Sequence, residues 1–292
     1  MGFFDRLSSG WALAMESMRV VSRNKKLVIF PIISSIALVL VLGTFAGGLH
    51  ASGVLDTFLE EDSAAMESSA VSSTTESSRS NEVLGYSLLF IFYFLAYAVI
   101  VFFNMALIHC ANHAFNGAEF TLGTGIAFSF SRIGAVISWA LVSATVGLAL
   151  RIIEDKNKNV AAFVAGILGM LWSLLTFFVV PVIAYEGLGP IAAIKRSGEL
   201  FKNTWGERVG AHFAFGWIGF LAMLLIALPM GFVIGLLNPL AGFIAGILCV
   251  IVITLMTTTA EAVFKAAVYQ YAIGRPVDSF SQGRLAQCFG PK

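Results

Sequence analysis

The sequence predicts an all-α polytopic membrane protein, on three observations. Its 292 residues are 58% hydrophobic and 12% charged, whereas soluble domains are about 45–50% apolar and about 25% charged. Asp, Glu, Lys and Arg are absent between Lys26 and Asp56, Glu82 and Glu119, Arg132 and Arg151, Lys158 and Glu186, and Arg208 and Glu261. Each gap matches or exceeds the roughly 20 apolar residues that cross a hydrocarbon core. The third observation is a one-sided distribution of Lys and Arg.

The gaps define six spans near residues 27–49, 83–108, 133–152, 160–185, 210–236 and 240–261. The last gap is divided by "LNPLAG" at 236–242, where Asn238-Pro239 signals a turn. The chain is read as a single membrane domain, residues 1–292, with a cytoplasmic segment 1–26 and a cytoplasmic tail 262–292. The first run is a retained span, since it is too long and too far from the start for a cleavable signal peptide. With the N-terminus inside, 14 of the 18 Lys and Arg residues fall on the cytoplasmic side. Positive charge concentrates there, so both termini are expected inside a cytoplasmic (inner) membrane. The loop 50–82, rich in Ser and acidic residues, buries too little apolar surface to order itself firmly. It reads as a flexible extracytoplasmic connection, or as a docking segment for an outside partner. Three cysteines, Cys110, Cys249 and Cys288, do not suggest a disulfide framework.

Three cytoplasmic stretches run into spans as amphipathic helices. Their apolar stripes are Phe3, Leu7, Trp11, Met15 and Met18; Leu122, Ile126, Phe130 and Ile133; and Ile191, Ile194, Phe201 and Trp205. Such stripes beside a basic face describe helices lying in the headgroup plane, with Arg19, Lys25, Lys26, Lys195, Arg196 and Lys202 meeting lipid headgroups. A repeat with serine four residues on links Ala127/Ser131, Ala193/Ser197 and, more loosely, Leu13/Ser17. In the spans, Gly43/Gly47, Ser143/Gly147, Ala162/Gly166, Gly231/Gly235 and Gly242/Gly246 are small pairs of the kind that lets helix backbones approach. The last two flank the 236–242 turn and predict a tight hairpin. Pro31, Pro181 and Pro229 each remove a backbone donor and kink or end a helix.

The stretches "FFNMAL" (102–107), "SWALVSATVGL" (138–148), "VVPVIAYEGLGPIAAIKRSGELFKNTWGE" (179–207) and "FKAAVYQYA" (264–272) resemble a prokaryotic six-span integral membrane family of unknown function. More loosely, the chain is similar to membrane domains attached to some glycerophosphodiester phosphodiesterases. The resemblance implies the topology and no reaction, substrate or cofactor.

Ionisable and polar groups at membrane depth are functional candidates by default, and Asn104, His212, Asn238 and Glu261 lie deepest. Asn104, Glu186 and Glu261 are candidates for a solute path or for polar contacts between helices. Glu261 stands four residues before Lys265, a favourable helical pair. His109 and His113, one turn apart, match a metal-ligand spacing, although Cys110 stands where a metalloprotease carries Glu. They read as interfacial histidines, or as a metal site completed by Glu186 or Glu261. No Ser/His/Asp set, paired carboxylates or phosphate-cradling Gly loop is evident. The expectation is a non-enzymatic structural or accessory subunit without a cofactor, embedded in the lipid bilayer with a protein partner or as a homo-oligomer. Nucleic acid is not an expected partner. The alternative is a channel or transporter for a small solute or lipid, which a cavity reaching Asn104 would favour.

Overall fold

The computed structural model describes residues 3–51, 75–155, 160–205, 216, 219–275 and 277. Every regular element among them is helical. Helix α1 (Phe3–Arg23) leads through a 3₁₀ turn (Lys25–Val28) into α2 (Ile29–Ala51). Then come α3 (Thr75–Phe115), α4 (Leu122–Ser131), α5 (Ile133–Asp155), α6 (Val160–Leu175), α7 (Val179–Glu186) and α8 (Pro190–Trp205). Helix α9 (Gly219–Gly235) contains a π-helical turn, Met223–Ala227, and α10 (Pro239–Ala272) follows. The loop residues 52–74, His212 and the tail beyond 277, with Cys288, lie outside the described residues.

Five of these segments are long and apolar enough to cross a membrane: Lys25–Ala51, Val83–Phe115, Ile133–Glu154, Phe163–Glu186 and Pro239–Ala272. The expected span 210–236 is described only in part, and its helix Gly219–Gly235 is apolar but shorter. Two expected spans also differ in form. The fourth is broken at Thr176–Phe178, between α6 and α7. The sixth continues well past residue 261, to Ala272, before Gly274 turns the chain at φ +76°. That glycine has the positive φ that side chains disfavour.

The chain divides into two compact units. The first holds Met1–Ile33, Phe102–Ala135 and Leu171–Lys292; the second holds Ser34–Val101 and Val136–Met170. In the first, Leu13, Phe30, Met105, Phe178, Ile183, Phe264 and Tyr269 are fully buried, and α1 and α9 both pack on α10. In the second, Trp139, Ala140, Ser143, Ala144 and Ala165 are buried. Phe45 meets Phe92 there at 5.5 Å between ring centres. Gly147 leaves room for Tyr93 and Tyr97.

The hairpin α9–α10 forms as the glycines predict. Asn238 Oδ1 accepts the Leu240 and Ala241 N–H groups at 3.0 and 3.2 Å. Pro239 follows at the first helical position, where its missing N–H costs nothing. A Cβ on Gly242 would fall onto the Gly235 backbone and within 2.6 Å of the Gly231 carbonyl oxygen. By contrast, Gly43, Gly47 and Gly166 have open space around the Cβ position. Those three make no close approach among the described residues.

The three amphipathic helices exist, and several residues of their apolar stripes stand outward, the side that a helix lying in the headgroup plane turns to lipid. Trp11 and Met15 point outward, as do Phe130, Ile133 and Ile191. The faces turned inward carry Leu13, Ala14, Glu16 and Ser17 on α1, and Ala193, Ser197 and Leu200 on α8. On α4 the buried pair is Gly125/Ser129, and Ala127 and Ser131 are exposed, whereas Ala193/Ser197 and Leu13/Ser17 of the same repeat are buried. The reason is steric. A Cβ on Gly125 would stand 2.7 Å from Cys110 Sγ, 2.9 Å from Phe30 Cζ and 3.0 Å from the Ala106 oxygen. Only glycine permits that approach of α4 to α3.

Candidate functional site

Of the polar residues singled out by sequence, Asn104, His109, His113, Glu186 and Glu261 lie in the first unit and fall into two constellations, while Asn238 caps the α9–α10 turn. One closes the elbow between α7 and α8. Gly187, at φ +67°, ends α7, and Pro190 opens α8 three residues later. Across this turn Arg196 Nε donates to both Glu186 carboxylate oxygens, at 3.2 and 3.0 Å. The Tyr269 hydroxyl donates to Glu186 Oε1 at 3.2 Å, which ties the elbow to α10. Ser197, fully buried, accepts the Phe178 N–H at 3.0 Å. That bond satisfies a donor released by the break between α6 and α7. Arg196 also lies 3.7 Å from Glu199. Arg196 thus pairs with two protein carboxylates, and Arg19, Lys25, Lys26, Lys195 and Lys202 are exposed.

Aromatic rings extend the elbow across four helices. His113 meets His109 edge-on at 4.8 Å. His109 stacks on Phe128 at 4.1 Å and 11°. Phe128 lies 6.0 Å from Tyr185, and Tyr185 stacks on Tyr269 at 6.0 Å and 19°. The Tyr185 hydroxyl donates to the Ile108 carbonyl at 3.4 Å. The two histidines thus belong to a packed ring series. Glu186 is bound to Arg196 and Tyr269, and Glu261 to Lys265, so neither carboxylate completes a metal site with them. Among the described residues no group of three or more His, Cys, Asp or Glu is arranged to hold a metal ion.

The second constellation is a cavity of about 260 Å³ bounded by α3, α6, α7 and α10. Asn104 and Ile108 come from α3, and Ser173, Thr176, Phe177, Val180 and Pro181 from the broken fourth span. Thr258, Glu261, Ala262 and Lys265 come from α10. Two expected candidates, Asn104 and Glu261, therefore share one cavity, while Glu186 belongs to the elbow. Lys265 Nζ pairs with Glu261 Oε1 at 2.8 Å and stands 5.4 Å from the centre of the Phe177 ring. Both side chains keep about a third of their surface open, at 30% and 29%. Asn104 makes no hydrogen bond to another helix among the described residues; its amide opens to the cavity.

Sequence reasoning paired Glu261 with Lys265 but missed the Tyr185/Tyr269 stack, Phe128 and Ser129. Ser129 donates to the Phe102 carbonyl at 2.9 Å. The signal for the tyrosines was present, since Tyr185 and Tyr269 both lie in the motifs "VVPVIAYE" and "FKAAVYQYA". Their partnership requires two segments far apart in the chain.

Several helices able to span a bilayer, together with polar residues gathered between them, define a multi-helix membrane protein. The chain belongs to a family of unknown function, DUF6159, whose match covers residues 83–277. The match begins within α3 and runs through α10, and takes in both constellations. No curated protein and no solved structure matches the chain.

Proposed function

We propose that this is a non-enzymatic multi-pass protein of the cytoplasmic membrane of a prokaryote, with both termini inside. On this reading it binds a small zwitterionic solute or lipid headgroup and gives it passage. The observation that carries the reading is the cavity in which Asn104, Glu261 and Lys265 converge. An ammonium and a carboxylate already paired present both signs of charge with no net charge. A zwitterion can exchange partners with them, its anion to Lys265 and its cation to Glu261, without leaving an unpaired buried ion. Glu261 stands about 33 Å along α10 from Pro239, at about 1.5 Å per residue. That matches the thickness of the hydrocarbon core, about 30 Å, so the cavity belongs at the inner edge of the bilayer. A fourth span broken beside the cavity accords with the discontinuous helices that line transporter sites.

A second reading, an accessory subunit, is favoured by the outward-facing Trp11, Met15 and Ile191 on the short helices. The two are separated by native mass spectrometry of the full chain in nanodiscs containing phosphatidylethanolamine. The cavity reading expects about one retained zwitterionic lipid or solute per chain. Asn104→Ala, and Glu261→Gln combined with Lys265→Met, should each lower that occupancy about tenfold with the melting temperature maintained. Unchanged occupancy in both variants would remove the cavity reading, and crosslinking should then capture a stoichiometric partner.

A further inference from the structure

A separate cleft of about 610 Å³ lies where the first candidate span begins. It is lined by Ser22, Arg23, Asn24, Lys25 and Lys26 on one side and by Ala114 and residues 117–121 on the other. Arg23, Lys25 and Lys26 are exposed, and none forms an ion pair among the described residues. Glu119 is the one carboxylate in the lining, so three cations face a single opposing charge.

Both walls are fixed. The Asn24 amide side chain donates to the Val20 carbonyl at 3.0 Å, and Leu27 N–H donates to the Asn24 carbonyl at 2.9 Å. Leu27 and Phe30 are fully buried, which anchors the turn and leaves the cationic side chains outside. Opposite, Ala118 N–H donates to the His113 carbonyl at 3.0 Å, and Gly117 takes φ +65°. Thr121 caps α4 in a reciprocal pair with Thr124, both bonds 3.2 Å.

We propose that this cleft binds the phosphate of an anionic lipid headgroup, with Arg23, Lys25 and Lys26 supplying the charge. The same chemistry would suit a free phosphate ester. Position selects the lipid, because Lys25 is the first residue of the span Lys25–Ala51. A cation at the start of a span stands at the level of the headgroup phosphates, where basic residues attract anionic lipid. The proposal is independent of the zwitterion cavity, whose residues it does not share.

The test is lipid retention by the full-length protein, measured by native mass spectrometry after exchange into mixed micelles. The probes are phosphatidylglycerol, phosphatidylcholine and free glycerol 3-phosphate. The wild type should retain phosphatidylglycerol over phosphatidylcholine. Lys25→Gln and Lys26→Gln should each reduce that preference about fivefold, and Arg23→Gln added to both should abolish it. Arg151→Gln, which alters an exposed cation in the last turns of α5, should leave it unchanged. Should the triple variant fail to insert, the two single variants decide the question. The proposal is overturned by an absent preference in the wild type, by unchanged retention in both single variants, or by equal loss in the Arg151→Gln control. Displacement of the lipid by millimolar glycerol 3-phosphate would also overturn it, making a free phosphate ester the ligand.

Discussion

The two halves of α10 have similar apolar composition and opposite surroundings. From Pro239 to Thr258 the helix touches protein mainly along its glycine face, and Leu240, Phe243, Leu248 and Val252 are exposed. From Thr259 to Gln270 it is buried nearly all round, and only Glu261 and Lys265 remain partly open. In water the first half would be an aggregation surface; in lipid it needs no cover, because hydrocarbon is as apolar as leucine. The second half carries the charges, hydroxyls and tyrosines that need protein partners. Dense packing therefore follows polar chemistry along this chain, and apolar character alone does not predict which residues form the core.

Matched substitutions in one helix test that contrast most sharply. Phe264 is 1% exposed and Phe243 is 68% exposed. Phe264→Ala should destabilise by about 3–5 kcal/mol, the range for a large side chain removed from a packed interior, and Phe243→Ala by less than about 0.5 kcal/mol. Thermal unfolding in detergent measures both, and equal losses would break the comparison. Next in size is Gly125→Ala, which forces Cys110, Phe30 and the Ala106 backbone apart and should lose about 1–3 kcal/mol. Gly43→Ala, which meets nothing within 4 Å, should have no measurable effect on the same melting curve. Ser197→Ala leaves the Phe178 N–H without its partner and should lose about 1–3 kcal/mol. Hydrogen exchange at residues 176–178 should rise with it. Below these comes Glu186→Gln: with Arg196 partly exposed, its loss should stay within about 1 kcal/mol, read as a lower melting temperature.

The sequence made the helices legible because crossing a bilayer imposes long charge-free runs, and the hairpin legible because Gly231, Gly235, Gly242 and Gly246 flank one turn. It did not reveal which face of each short helix would turn inward. Trp11, Met15 and Ile191 make conspicuous apolar stripes, and in a soluble protein such stripes seek the core. Here the core takes the small residues and buried serines, as at Gly125/Ser129 and Ala193/Ser197. The depth of Asn104 was readable from its distance into an apolar run. Its convergence with Glu261 and Lys265 was not, since that depends on how α3, α7 and α10 pack. The Glu186–Arg196 bond was hidden for the opposite reason: Arg196 matched a headgroup-binding pattern, and its pairing depends on the angle at which α8 folds back on α7.

The glycine interlock between α9 and α10 also bears on how the protein is made. A hairpin that enters the bilayer turn-first must carry its turn across the hydrocarbon. Leu236 and Leu237 cross readily, and the principal polar side chain is the Asn238 amide, whose oxygen already holds two backbone donors. With backbones touching at Gly235 and Gly242, the two helices form a pair whose turn is already capped by Asn238, so neither end at the turn is left without a partner.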